Sequence, residues 1–173
     1  MQIYLIGFMG SGKSFTGKRL AKLLKRNFID LDEFIEQQEG HSIRALFEQA
    51  GETYFRKTEA HALRQMLHQP PAIIATGGGT PCFHQSMGWM NQHGLTIYLN
   101  TPSEVLFQRL KEGRDHRPLI RAMSDEALHR YIQDKLGERS RYYEQASIIY
   151  QQRMGKAPVA EELAHQFTNI IGH

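Results

Sequence analysis

A single cysteine, Cys82, among 173 residues leaves no partner for an internal disulfide. This excludes the disulfide-stapled secreted domains and fits a reducing compartment, so a cytoplasmic location is expected. No run approaches the roughly 18 consecutive apolar residues of a membrane span, and no membrane role is expected. The apolar stretch Met1 to Met9 lacks a basic leader and runs into glycines and Lys13, which argues against a signal peptide. The nine histidines show no metal-ligand spacing such as H-E-x-x-H. Internal repeats, low-complexity tracts and Pro/Gly/Ser linkers are also missing, so one domain spanning 1–173 is expected.

What is present is ordinary for a folded domain: 40% hydrophobic and 23% charged residues. At this length folding buries on the order of 70% of the chain's surface, enough for a core without staples. The balance of 21 basic and 18 acidic residues gives +3, a mild bias towards anionic partners. Because the basic residues are mostly offset by acids, with no aromatic-interleaved basic stripe, nucleic acid is not an expected partner.

Gln2 to Ile6 is apolar on both faces and reads as a strand inside a parallel sheet. An amphipathic helix is predicted from Lys13 to about Arg26, then a strand over Asn27 to Leu31 and a helix from about Asp32 to Glu39. Two helices, Ser42 to Ala50 and Glu52 to Leu67, are broken at Gly51 and stopped by Pro70-Pro71. Strands follow at Ala72 to Ala75 and Leu95 to Leu99. Thr101-Pro102-Ser103-Glu104 combines an N-cap, a first-turn proline and a capping-box acid, opening a helix to about Lys111. Another helix runs from Ser124 to about Glu144, a fifth strand covers Ser147 to Tyr150, and Pro158 opens a terminal helix. This alternation predicts a doubly wound α/β domain whose ligands sit beyond the carboxyl ends of the strands. Met87, Trp89 and Met90 read as packing residues.

Gly7-Phe8-Met9-Gly10-Ser11-Gly12-Lys13-Ser14 fits G-x-x-x-x-G-K-[ST] in full and lies between a predicted strand and helix. Its glycines let successive N–H groups cradle phosphates, with Lys13 reaching the β- and γ-phosphates and the Ser14 hydroxyl a ligand for Mg²⁺. The alternative is a tight turn with a solvated lysine. Asp30 and Asp32 close the second strand: one carboxylate beside the P-loop suits Mg²⁺, the other a hydroxyl proton. The same residues also make an N-cap with acids in the first turn. Gly77-Gly78-Gly79 permits either close approach of a ligand or a positive-φ turn. Arg109, Lys111, Arg114, Arg117 and Arg121 form either a solvated face or, since Gly113 and Pro118 interrupt any helix, a mobile loop that closes over phosphates. For Arg56 and Arg139, surface salt bridges are the ordinary explanation. Cys82 has no base partner in sequence and reads as a small apolar residue, and His116 as solvated.

Taken with Gly51-Glu52-x-x-Phe55-Arg56-x-x-Glu59, Thr76-Gly77-Gly78-Gly79, Arg117-Pro118-Leu119 and Glu138-Arg139-x-x-x-Tyr143-Glu144, these motifs resemble the shikimate kinase family in order and spacing, over nearly the whole chain. The resemblance implies a three-layer P-loop NTPase fold with a five-stranded parallel sheet, substrate-binding helices at about 32–67 and a lid at about 112–124. It further implies a monomer that moves the γ-phosphoryl group of ATP to the 3-hydroxyl of shikimate with Mg²⁺. By resemblance, Gly10, Ser11, Gly12, Lys13, Ser14 and Phe15 hold the phosphates, and Arg109 and Pro158 flank the adenine. Arg117 is the lid arginine, and Ser14 and Asp30 face the metal. Asp32 is the base and, with Arg56, Gly77, Gly78, Gly79 and Arg139, lines the shikimate pocket, while Glu59 orients Arg56. One departure stands out: where the family's fifth strand carries an aspartate, this chain has Tyr150-Gln151. The competing readings are a gluconate or nucleoside monophosphate kinase of the same fold, and a non-catalytic ATP-binding protein.

Overall fold

The computed structural model describes residues 1–153 and 159–171. Five strands form one parallel sheet: β1 (Gln2–Ile6), β2 (Asn27–Asp30), β3 (Ala72–Ala75), β4 (Gly94–Asn100) and β5 (Ile148–Gln151), in the order β2-β3-β1-β4-β5. The helices are α1 (Lys13–Leu23), α2 (Leu31–Glu39), α3 (Ile43–Gln65), α4 (Ser86–His93), α5 (Ser103–Glu112), α6 (Asp125–Tyr143) and α7 (Val159–Ile171). Central β1 is buried along its whole length, as its unbroken apolar run requires when helices cover both faces.

Alternation along the strands builds the two outer layers. Tyr4, Ile6, Ile74 and Tyr98 face α2, α3, α4 and α6, in a cluster with Leu31, Phe55, Leu63, Met90 and Tyr143. Ile3, Leu5, Ile73 and Ile97 face α1 and α7 with Leu20, Leu163 and Phe167. A third cluster of Phe8, Leu106, Leu110, Ile120 and Leu128 ties the P-loop to α5 and α6. Among the described residues no helix is long and apolar enough to cross a membrane.

The predicted break at Gly51 is present inside α3, where φ is 81° and ψ 170°. Two local expectations fail. Thr101 does not cap α5: its hydroxyl donates back to the Leu99 carbonyl at 3.3 Å. Pro102 is the capping residue, without a side-chain cap, and Glu104 accepts from Gln108 instead of closing a capping box. The reason is burial, since Thr101 sits inside the β4 end and its hydroxyl must pair there. Helix α4 was not expected, because its eight residues carry no side-chain cap and it is entered through a left-handed glutamine, Gln85. Met87 and Met90 are buried and Trp89 packs beside them, as packing residues should. Pro158 lies outside the described residues.

Candidate active site

Parallel strands bring all chain reversals that follow them to one edge. The connections leave the adjacent strands β1 and β3 towards opposite sides of the sheet, which opens a crevice at their carboxyl ends. Thr76 locks that edge, donating to the Leu5 carbonyl through both its N–H and its hydroxyl at 3.1 Å. A cavity of about 410 Å³ occupies the crevice. It is lined by Met9, Gly10, Gly12, Lys13, Ser14 and Phe15 of the P-loop, by Asp30, Asp32, Thr76, Gly77 and Gly78, and by Arg109 and Arg117 at its rim, whereas Ser11 is buried beneath the loop and Arg56, Gly79 and Arg139 stand behind this lining.

Three P-loop glycines adopt left-handed or related backbone, Gly7 at φ 145°, Gly10 at 83° and Gly12 at 90°, which a side chain rarely tolerates. The Lys13 ammonium donates to the carbonyls of Gly7 at 2.7 Å and Phe8 at 2.9 Å. Thus the lysine arches over its own loop. Desolvation there brings it down to about 8, with Asp32 and Asp30 opposing the shift. Phe15, at the same loop's exit, is 73% exposed beside the cavity.

The two readings of Asp30 and Asp32 turn out to be compatible. One oxygen of Asp30 accepts the Asp32 N–H at 3.1 Å and caps α2. The other accepts the Ser14 hydroxyl at 2.7 Å. Asp32 then falls in the first turn of α2 and points into the cavity. Burial, reinforced by Glu59 and Asp30 and opposed by Lys13, pushes its carboxyl up to about 6. A hydroxyl and a carboxylate oxygen this close form a hard-oxygen donor pair suited to Mg²⁺. No cluster of three or more His, Cys, Asp or Glu side chains offers another metal site among the described residues.

The glycine triplet is there for close approach. None of its members has positive φ. A Cβ on Gly79 would stand 2.5 Å from Arg56 Nη2, on Gly78 3.1 Å from Arg139 Nη1, and on Gly77 3.1 Å from Glu59 Oε1 and 3.3 Å from Asp32 Oδ1. The two arginines and two acids therefore converge on bare backbone. Arg56, only 11% exposed at its side chain, donates to Glu59 Oε2 at 2.8 Å. Its guanidinium lies 4.2 Å from the Phe83 ring centre, 5.1 Å from Phe55 and 5.9 Å from Phe47. Glu59 is 1% exposed and its second oxygen accepts the Thr80 hydroxyl at 2.6 Å. Arg56 does make the expected surface salt bridge, to the exposed Glu52 at 3.3 Å, but its shorter and buried pairing is with Glu59. Arg139 stacks over Phe8 at 5.7 Å, while Tyr143 donates to the Gly78 carbonyl at 2.5 Å.

The basic run divides its labour. Lys111 and Arg114 both pair with Asp125, at 2.7 and 2.5 Å, and Ile120 is fully buried in the third cluster. His116 is exposed. Only Arg109 and Arg117 reach the cavity. Arg109 Nη1 donates to the Gly10 carbonyl and to Gln152 Oε1, each at 3.2 Å. Gln152 Nε2 in turn donates to the Ser11 carbonyl at 2.7 Å. Gln152, Thr80, Phe47 and Phe83 belong to this site and carried no local signal. The one hint was the family aspartate missing from the end of β5. The Cys82 thiol is pushed up by burial, in keeping with an apolar role rather than a nucleophilic one.

Comparison with known proteins agrees with this geometry. The profile of the shikimate kinase family matches residues 9–171. Shikimate kinase from Phocaeicola vulgatus is 40% identical over 149 residues, covering 86% of this chain and 85% of that one. Its counterpart from Aquifex aeolicus is 36% identical over 173 residues, covering 100% and 98%. Among solved structures, shikimate kinase from Bacteroides thetaiotaomicron superposes with a TM-score of 0.91 at 33% identity, covering 100% of this chain and 99% of that one. The Acinetobacter baumannii enzyme, solved in complex with shikimate, gives 0.83 at 33% identity, covering 98% and 92%. With its P-loop, paired aspartates and glycine triplet assembled at one sheet edge, and with relatives this similar along its length, the chain belongs to the shikimate kinase family, a family of ATP-dependent phosphotransferases.

Proposed function

We propose that this chain transfers the γ-phosphoryl group of ATP to the 3-hydroxyl of shikimate, giving shikimate 3-phosphate and ADP, with the residues gathered around Asp32 as the machinery. The observation that carries the reading is Asp32 itself: a carboxyl pushed up to about 6, beside the P-loop lysine and facing the glycine triplet. A base whose affinity for protons lies near working pH accepts a hydroxyl proton without being protonated beforehand.

The hydroxyl oxygen bonds to the γ-phosphorus as its proton passes to an Asp32 oxygen. The bond from the γ-phosphorus to the β–γ bridging oxygen breaks, and its electron pair leaves with ADP. Lys13, freed from the Gly7 and Phe8 carbonyls by phosphate oxygens, and Arg117 at the cavity rim balance the negative charge of the transferring group. Residues 112–124 act as the lid that carries Arg117 inward. Ser14 and Asp30 would hold Mg²⁺, which when bound would add neutralisation of the phosphate oxygens.

Arg56 and Arg139 present planar forks to the acceptor's carboxylate, where each charge-assisted hydrogen bond contributes about 1.5–3 kcal/mol. Gly77, Gly78 and Gly79 let Asp32, Arg139 and Arg56 close in on their backbone, so that these side chains gather at the acceptor pocket. Arg109 flanks the adenine, with Pro158 as the family's second partner there. The shikimate complex of the Acinetobacter relative supports the acceptor. Action as a cytoplasmic monomer completes the proposal.

The test is ADP release by the purified protein with MgATP and shikimate, gluconate, AMP or no acceptor. Turnover with shikimate alone is expected. Stimulation by gluconate or AMP instead would overturn the acceptor, and no turnover with any of the three would overturn the transfer itself.

A further inference from the structure

Beyond the cavity, the chain carries a strained turn that no part of the mechanism uses. His84 and Gln85 both adopt positive φ, 50° and 55°, and the Ser86 N–H donates to the Phe83 carbonyl at 2.9 Å across them. Two consecutive left-handed residues closed in this way make the turn type that selects Asn-Gly. Histidine and glutamine, with Cβ atoms that clash in this region, are poor choices for it, so something else must hold it. Arg64 is in place to do so. It lies eight residues beyond Arg56 on the same helix, and its Nη2 donates to the His84 carbonyl at 2.8 Å. Nη1 reaches the Ser86 hydroxyl at 3.3 Å and the Ala60 carbonyl at 3.1 Å, and the guanidinium packs 5.2 Å from the Trp89 ring. The residue that opens the turn, Phe83, is the ring nearest the Arg56 guanidinium, at 4.2 Å.

We infer that Arg64 is a positioning residue for the acceptor site: by clamping the left-handed turn at His84 and Gln85 it keeps the Phe83 ring on Arg56 and so sets affinity for the acceptor's carboxylate. The inference rests on the assignment of Arg56 to that carboxylate. Relaxing the turn lets Phe83 leave, and Arg56 loses the nearest of the three rings against it while keeping its carboxylate partners.

Steady-state kinetics with shikimate and MgATP test this in four variants. Arg64→Ala is expected to raise the KM for shikimate roughly tenfold, the size of a lost cation–π contact in a partly dry site, with kcat and the KM for ATP within about twofold. Adding His84→Asn and Gln85→Gly to Arg64→Ala restores the turn by local preference and is expected to recover most of the loss. Phe83→Leu should imitate Arg64→Ala, and it decides the matter if Arg64→Ala does not fold. Arg56→Ala is the control for the underlying assignment: an unchanged shikimate KM there overturns the carboxylate role of Arg56. A raised KM in Arg56→Ala with an unchanged one in Arg64→Ala or Phe83→Leu overturns the clamp alone. Failure of the turn replacement to rescue, or equal losses for both substrates, also overturns it.

Discussion

The Ser14 hydroxyl donates to Asp30 across 2.7 Å while the other oxygen of that carboxylate caps the helix carrying Asp32. A single side chain thus couples the P-loop serine to the orientation of the base. Asparagine caps a helix about as well as aspartate, so the two duties of Asp30 are separable. Asp30→Asn is expected to leave the melting temperature within a few degrees. It should lower kcat at least tenfold and raise the Mg²⁺ concentration needed for half-maximal rate, measured by titrating free Mg²⁺ at saturating substrates.

The raised affinity of Asp32 for protons has a kinetic and a thermodynamic consequence. As pH falls through about 6 the base becomes protonated, so kcat/KM for shikimate should fall with a slope of one below that point. Asp32→Asn should cost about 10²- to 10⁴-fold in kcat. An ordinary aspartate in the unfolded chain titrates near 3.8, so the folded state binds the extra proton between the two values. Stability from this group is present below about 4 and is lost as pH rises through about 6. The asparagine variant is therefore expected to be more stable than the parent by roughly 1–3 kcal/mol at pH 7 and equal to it near pH 4, read from urea unfolding at both pH values.

Glu59 is buried and serves Arg56 and Thr80 at once. Removing one member of a buried pair costs about 3–5 kcal/mol where the other charge is stranded, an upper bound here because Arg56 keeps Glu52 at 3.3 Å. Glu59→Ala should lose stability up to that order and raise the KM for shikimate. Glu59→Gln, which keeps an acceptor for one partner, should lose less of both.

Gly79→Ala places a methyl where the Arg56 guanidinium lies. Since Arg56 is pinned by Glu59 and three rings, it cannot yield cheaply, and the KM for shikimate should rise at least tenfold with the KM for ATP unchanged. Gly88→Ala is the matched control. Nothing lies within 4 Å of its Cβ position in α4, so that variant should be stabilised by about 1 kcal/mol with unaltered kinetics.

How far the site could be read from sequence followed the range of the interactions. The strand, P-loop and helix over residues 2–23 were legible because their glycine dihedrals, apolar run and helix start are decided within a few residues. The kink at Gly51 and the Ser124 cap of α6 were legible for the same reason. At Thr101 a local pattern misled, because burial at the end of β4 claimed the hydroxyl that capping would have used.

The sequence by itself determined that this chain would build a parallel sheet with a phosphate-binding loop after its first strand, since backbone conformation and side-chain alternation there are local properties. Tertiary structure alone decided what the glycine triplet is for. It also decided that aromatic rings flank Arg56, whose pairing with Glu59 the family resemblance had already implied, and that Gln152 reaches the Ser11 carbonyl 141 residues away. These contacts exist because the order β2-β3-β1-β4-β5 brings the carboxyl ends of distant strands to one edge, and burial there obliges each polar group to find a partner that proximity in sequence does not supply.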